Sequence, residues 1–441
     1  MTTRESSHRG LTSVFSFLLF SLVFMALVLV KIPIAFDSFW AEDGAFYGQA
    51  LVETFPSDFF ISGGGYVIFV SRILSNLVAN FPVYYAALAN AVLLCFILGF
   101  LAQRIYKNLA FIVQNSTHRV MISLSILLLP INNFETIASG TSLHFILLFV
   151  TFIICLSASR TLNISIVDAV VVSVSFLSDP FTILCLTPLI LGRTSQLRNF
   201  WRDRFSLLLL WGASFLIQGW MVYTNYSESP RKLTDAPSLS KTIYLYFDRV
   251  VGSTLIPNWG LVSSNIFIDG RVTLFLVFRA FLAFVIFAVF FLVTTRIYGK
   301  SRRFGKDFDL HAILFLLLAP IAYWLIASFM INPEPRYAVL PGMSLLVIVV
   351  YLISQSFDLD GSIFKKKVYP GITSVLIVTL WLLSFSPSER RDSGVTWRSE
   401  VTKARLECQT DKLELATLKI LPVDHGWSIT IRCSTLWNLD N

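Results

Sequence analysis

LTSVFSFLLFSLVFMALVLV, residues 11–30, is a run of 20 residues without a charge. At about 1.5 Å per residue, a helix of that length covers about 30 Å, the thickness of a bilayer's hydrocarbon core. Lys31 follows, with no small-x-small cleavage site, so the run reads as an uncleaved signal anchor rather than a removed signal peptide. Further apolar runs lie at 83–103, 119–131, 143–158, 164–178, 181–192, 205–224, 272–295, 310–330, 337–357 and 368–386. The fold class that follows is an all-α polytopic membrane protein of about 11 transmembrane helices. Residues 1–386 form one multispan domain with a first exoplasmic loop at 32–82 and a long one at 225–270. Residues 387–441 form a small exoplasmic α/β tail, with a helix near 397–407 and strands near 413–423 and 427–433.

Composition supports this. Apolar residues make up 55% of the 441, charged ones 14%, and mean hydropathy is +0.70. A soluble enzyme, a disordered chain and a secreted disulfide scaffold are excluded. The net charge of +8 would suggest nucleic acid in a soluble chain. Here the basic residues sit in short loops, so the charge reads as topology and no nucleic-acid partner is expected. With the N-terminus in the cytosol, the short cytosolic segments carry 18 Lys+Arg and 6 acids, against 6 and 12 in the outward loops. An odd number of spans then puts the C-terminus outside. Cys95, Cys155 and Cys185 fall inside spans, where Cys acts as a small apolar residue. Cys408 and Cys433 fall in the outward tail, where an oxidising compartment favours a disulfide.

Segments 119–131, 143–158, 164–178 and 181–192 are too short to cross alone. Irregular polar backbone at membrane depth persists only around a protein-lined or wet cavity. The links Asn132, Asn133, Glu135, Thr136, Ser139 and Thr141, and Ser178-Asp179-Pro180, are therefore candidates for a cavity floor. His144 opens an apolar span beside them.

The first outward loop carries an adjacent carboxylate pair, Glu42 and Asp43, among aromatics, with Gly44 read as a tight-turn residue. An apolar rim and a like-charged neighbour both raise a carboxyl pKa, which is how a general base is poised. Candidate phosphate-binding cations are Arg72, Arg249, Arg279 inside span 272–295, and Arg336 beside Tyr337 in a proline-rich turn. In the loop 225–270, Leu239, Ile243, Phe247 and Val250 share a helical face suited to the membrane interface.

These features resemble GT-C superfamily glycosyltransferases, and in architecture the serotype-converting glucosyltransferases that decorate O-antigen. The stretches that carry the likeness are Trp40-Ala41-Glu42-Asp43-Gly44, Asn133-Phe134-Glu135-Thr136 with Leu143-His144-Phe145, Ser178-Asp179-Pro180-Phe181, Pro335-Arg336-Tyr337 and 421–427. The resemblance implies a bacterial inner-membrane enzyme that moves a sugar from a polyprenyl-phosphate donor to an envelope glycan or glycolipid acceptor, with inversion. It implies a catalytic base within Glu42 and Asp43, sugar contacts from Glu135, Asn132, Asn133, His144 and Asp179, and phosphate held by Arg279 or Arg336. It leaves open a divalent ion, Mg or Mn, on Glu42 and Asp43. Two other readings stay open beside it: a transporter or flippase of a lipid-linked sugar, and a non-catalytic envelope-assembly protein that docks through its tail.

Overall fold

The computed structural model describes residues 3–53, 59, 65–129, 138–191, 205–225, 237–255, 309–330, 335–359, 394–423 and 426–437, with isolated positions between 281 and 295 and between 371 and 382. The chain is mostly helical. Six helices among the described residues are long and apolar enough to cross a membrane. They are α1 (Thr3–Lys31), α4 (Ala86–Asn108, entered through a 3-10 turn at Val83–Tyr85), α6 (Leu143–Thr161), α10 (Phe205–Thr224), α12 (Leu310–Met330) and α13 (Val339–Leu359). Shorter apolar helices are α3 (Phe69–Val78), α5 (Ser116–Leu128), α7 (Ile166–Ser178) and the pair α8 (Thr182–Cys185) and α9 (Thr187–Leu191). The expected count of eleven therefore resolves into six full-length helices and several short ones, while 272–295 and 368–386 lie almost wholly outside the described residues.

One expectation is corrected. The run read as 143–158 extends to Thr161, giving α6 a length of 19 residues, enough to cross. The residues from Ser159 to Thr161 looked like a loop because polar residues end a hydropathy run. In the fold Ser159 bonds back to the Leu156 carbonyl (2.7 Å) and Arg160 pairs with Asp309, so the helix continues.

α6 is the axis of the bundle: every residue from Leu143 to Ser159 is buried. A helix apolar all round belongs at the centre of a bundle. Around it pack α4, α7 and α13, and α4 packs in turn on α1 and α5. α1 and α4 approach closely because Gly99 faces Ser21: a Cβ there would stand 2.7 Å from the Ser21 Cα. Small residues at crossings are the usual means of bringing helices together in lipid. The outer faces remain apolar and exposed, as at Phe15, Leu18 and Leu22 on α1 and Leu209, Leu216 and Trp220 on α10.

The two ends of the bundle differ. At one end Arg104 on α4 grips Asp168 at the start of α7 (Nη2–Oδ2 2.6 Å, Nε–Oδ1 2.9 Å). Ser165 caps α7 and bonds the same carboxylate. Gln103 and Lys107 reach Ser13 of α1, His118 on α5 meets Ser354 on α13 (2.7 Å), and Arg160 pairs with Asp309. At the opposite end lie α2 (Ala41–Val52), α3, the starts of α6 and α13, the break after α7 and the tail.

The tail has helix α14 (Trp397–Asp411) and antiparallel strands β1 (Leu415–Lys419) and β2 (Ser428–Arg432), with Leu415 opposite Arg432. Alternate residues Ala416, Leu418, Ile429 and Ile431 face inward. Cys408 and Cys433 are disulfide-bonded, with Cα atoms 5.8 Å apart, as expected.

The segment after residue 237 is helical, as expected, but not α-wound throughout. A helix begins at Leu239 (α11, Leu239–Leu245) and passes into a π-helical stretch, Tyr246–Gly252. Its buried face is Thr242, Leu245, Asp248 and Val251, while Leu239 and Ile243 are exposed. Wider π winding rotates the later residues, so Val250 is buried but leaves the predicted Leu239–Ile243 stripe.

Candidate functional site

α2 carries both carboxylates of the first loop. Gly44 lies inside this helix rather than in a turn; the unusual backbone is at Ala41, with φ 37°. Gly44 is small for another reason: a Cβ there would stand 3.0 Å from Ile429 Cδ1 and 3.3 Å from Phe39 Cβ.

Asp43 is 4% exposed and points at the loop that leads into α6. Its Oδ2 accepts from the Gly140 N–H (2.8 Å). Its Oδ1 accepts from the Thr141 N–H (2.7 Å) and the Ser139 hydroxyl (3.3 Å). The loop is pinned from the other side by α3, whose Ser71 hydroxyl donates to the Gly140 carbonyl (2.7 Å). Gly140 has no room for a side chain, since a Cβ would lie 2.8 Å from Leu74 Cδ2. Burial raises the Asp43 carboxyl from 3.8 to about 6, against the opposing pull of the Thr141 and Gly140 hydrogen bonds, with the Glu42 charge adding a smaller upward push. Glu42 is half-buried and makes no hydrogen bond or ion pair to a described residue.

One turn on, His144 continues the network. Its Nδ1 meets the Thr141 carbonyl (2.6 Å), so Nδ1 carries the hydrogen, and in the neutral ring Nε2 accepts from the Tyr66 hydroxyl (3.2 Å). Asp179 Oδ2 stands 3.8 Å from the same Nε2. Asp179 ends α7 and accepts from the Phe181 N–H (2.8 Å) across Pro180, which opens α8. The Ser139–Thr141 end of the first link and the Ser178-Asp179 break therefore meet in space, with α3 between them: Val70 N–H bonds Ser178 (3.0 Å) while Ser71 holds Gly140. Aromatic rings wall the cluster. Phe145 stacks edge-on with Tyr337 (5.2 Å) and Phe181 with Tyr323 (5.4 Å), and the Arg336 guanidinium lies 6.0 Å from the Phe145 ring.

The structure thus brings together Asp43, Glu42, His144, Asp179, Arg336 and Tyr337. Arg72 is at the same end but is 1% exposed, with its guanidinium 4.0 Å over Phe46 and bonded to Gln49 on α2. In this position it braces α2 against α3. Arg249 sits half-buried on the π-helical stretch. Asn132, Asn133, Glu135, Thr136 and Arg279 lie outside the described residues.

Among the described residues no group of three or more His, Cys, Asp or Glu side chains is arranged to hold a metal ion. Of the Asp43 oxygens, Oδ1 accepts two hydrogen bonds and Oδ2 one, which leaves an open lone pair on Oδ2.

Sequence reasoning missed Tyr66, Tyr323 and Gln218. The last offered a signal, a lone amide in a 20-residue apolar helix; it bonds Val67 N–H and C=O (3.2 and 2.8 Å) and ties α10 to the approach to α3. Tyr66 and Tyr323 gave none, because a Tyr in an apolar run looks like any other aromatic.

Fold and site together define a multi-pass, membrane-type helical protein with a buried carboxylate network at one end. No family model, no curated protein and no solved structure matches this chain.

Proposed function

We propose that the protein is an integral membrane glycosyltransferase that moves a sugar from a polyprenyl-phosphate donor to an envelope glycan or glycolipid acceptor, with inversion. The observation that carries this reading is Asp43, a buried carboxyl with a pKa near 6 at the head of α6, beside the unpaired Glu42.

In this mechanism Asp43 takes the proton from the acceptor hydroxyl as its oxygen attacks the anomeric carbon. The bond between that carbon and the donor phosphate breaks, and the lipid phosphate leaves as an anion. Oδ2 is the suited atom, because it accepts one hydrogen bond where Oδ1 accepts two. Glu42 orients the acceptor and offsets oxocarbenium-like charge. A leaving phosphate needs a cation rather than an acid, and Arg336 is the described residue that supplies it. His144 and Asp179 bind sugar hydroxyls between aromatic walls.

The sidedness of this reading is bacterial inner membrane with the N-terminus cytosolic and the tail exoplasmic. It is supported by the basic loops, by Arg104, Lys107 and Arg160 clustering at the end remote from Asp43, and by a disulfide that favours an oxidising compartment.

The test is D43N in membranes with matched expression. Transfer is expected to fall about 10²–10⁴-fold while the lipid-linked donor accumulates. Unchanged transfer removes Asp43 as the base and leaves transport of the lipid-linked sugar as the reading for the same buried polar cluster.

A further inference from the structure

We infer that the C-terminal tail is a clamp that holds α2 in the register at which Asp43 reaches the 139–141 loop, with Gly48 and Trp397 as positioning residues. Tail and helix are joined at both faces. On the backbone, the Ala41 N–H donates to the Leu421 carbonyl (2.6 Å) and the Leu421 N–H donates to the Phe39 carbonyl (3.2 Å), a parallel bridge between Trp40 and Leu421. That bridge holds Ala41 at φ 37°, a conformation unfavourable for a residue with a Cβ, directly before the two carboxylates.

On the side chains, Gly44 and Gly48 present a bare strip of α2 to Ile420 and Ile429, and a Cβ at Gly48 would lie 3.8 Å from Ile429 Cβ. Trp397 is 1% exposed and closes the other flank, edge-on to Phe39 (4.9 Å) and Tyr47 (5.9 Å), with its indole N–H on the Val83 carbonyl (2.6 Å). Arg398 adds an ion pair to Asp37 (3.5 Å). Within the tail, Glu400 accepts from the Lys419 N–H (2.9 Å) and the Cys408–Cys433 bond ties α14 to the residues after β2, so the clamp moves as one piece. Asp43 has no anchor of its own on the tail. It points the other way, into a loop that its helix must approach within hydrogen-bond distance.

The clamp stands on geometry alone; calling its effect catalytic rests on the proposed function. The experiment keeps the two apart by using the full-length protein in detergent and two readouts. The first is the pH dependence of thermal unfolding between pH 4 and 8, measured for each variant with and without D43N, which isolates what Asp43 contributes. The charged or titratable groups on the elements around Asp43 are Glu42 on its own helix, Arg72 on α3, and His144 and Asp179 beyond the loop; they are common to both members of each pair and cancel. In the wild type, and in W397F, which keeps a ring in the flank, the Asp43 contribution is expected to titrate near pH 6. In G48L and W397A it is expected to fall by about 1–2 pH units towards an ordinary carboxyl, because the side chain is no longer desolvated.

Since G48L and W397A risk misfolding, the pair G48C/I429C is the complement. The 3.8 Å Cβ separation suits a disulfide. The crosslink is expected to form and to leave the titration near pH 6. A titration that stays near pH 6 in G48L, or a G48C/I429C pair that does not crosslink, overturns the clamp whatever the activity. The second readout is sugar transfer. A tenfold or greater loss in kcat with little change in KM for G48L supports the positioning role, and a wild type that transfers no sugar refutes the proposed function while the first readout still judges the clamp.

Discussion

Asp43 is where stability and chemistry are in tension. A carboxyl buried among apolar neighbours, with three donors and, among the described residues, no ion pair to a cation, holds its proton up to about pH 6. Its folded value lies above the ordinary 3.8, so the stability linked to this group is fully present below pH 3.8 and is lost as pH rises through 6. About two pKa units correspond to about 3 kcal/mol. Between pH 4 and pH 7.5 the wild type is therefore expected to lose about 3 kcal/mol more than D43N, read as a thermal midpoint that falls with pH in the wild type and less in the variant. Equal slopes would show that Asp43 is not desolvated. The proposed base must be ionised, so kcat/KM is expected to rise with pH up to about 6 and level off above it. The stability contributed by Asp43 is thus expected to be lowest where the proposed transfer is fastest. A flat profile from pH 5 to 8 would remove Asp43 from that role.

At the scale of elements, the helices are held by two devices. Long apolar helices with bare crossings pack closely, and Gly99 against Ser21 is one such crossing. G99L forces α1 off α4, because its Cβ alone would meet the Ser21 backbone at 2.7 Å. Overpacking of this kind costs about 1–3 kcal/mol, and a lowered midpoint with earlier proteolysis of α1 is expected. An unchanged midpoint would mean that the crossing is looser than it stands. The second device is polar, and its legibility in the sequence varied. The Ser178-Asp179-Pro180 break stood out because it interrupts an apolar run; Gln218 carries the same signal inside α10 and was passed over. The pairing of Asp43 with Gly140 and Thr141 did not, because nothing local to 41–52 encodes a partner 97 residues away. The burial of Val250 was not legible for a related reason: a 3.6-residue period assumes α winding, and the chain passes into π winding at Tyr246.

For the whole molecule, the tail and the bundle are one unit at the end that holds the site, joined at Trp397, Leu421 and the Gly44–Gly48 strip. The Cys408–Cys433 bond closes a loop with a sequence separation of 25, worth about 3 kcal/mol of chain entropy. C408S is expected to loosen the tail before it affects the bundle, read as protease cleavage in 394–437 at conditions where α4 and α6 stay protected. Simultaneous loss of both would show that the tail does not unfold as a separate step. The buried pair Arg104–Asp168, at the far end, is expected to be indifferent to that change, because it is anchored within α4 and α7 alone.

The sequence by itself determined that the chain is a helical membrane-type protein, because long uncharged runs leave the backbone one low-energy way to satisfy its hydrogen bonds in lipid. It also determined which segments between the apolar runs carry the charge and which cysteines lie outside those runs and were able to pair, since both follow from composition along the chain. Only the tertiary structure decided how long α6 is, that Arg72 braces a helix, that Gly44 makes room for Ile429, and that Asp43 is buried against the head of α6. Those depend on contacts between segments far apart in sequence, and the free energy of such contacts is set by packing and desolvation, which no local pattern records.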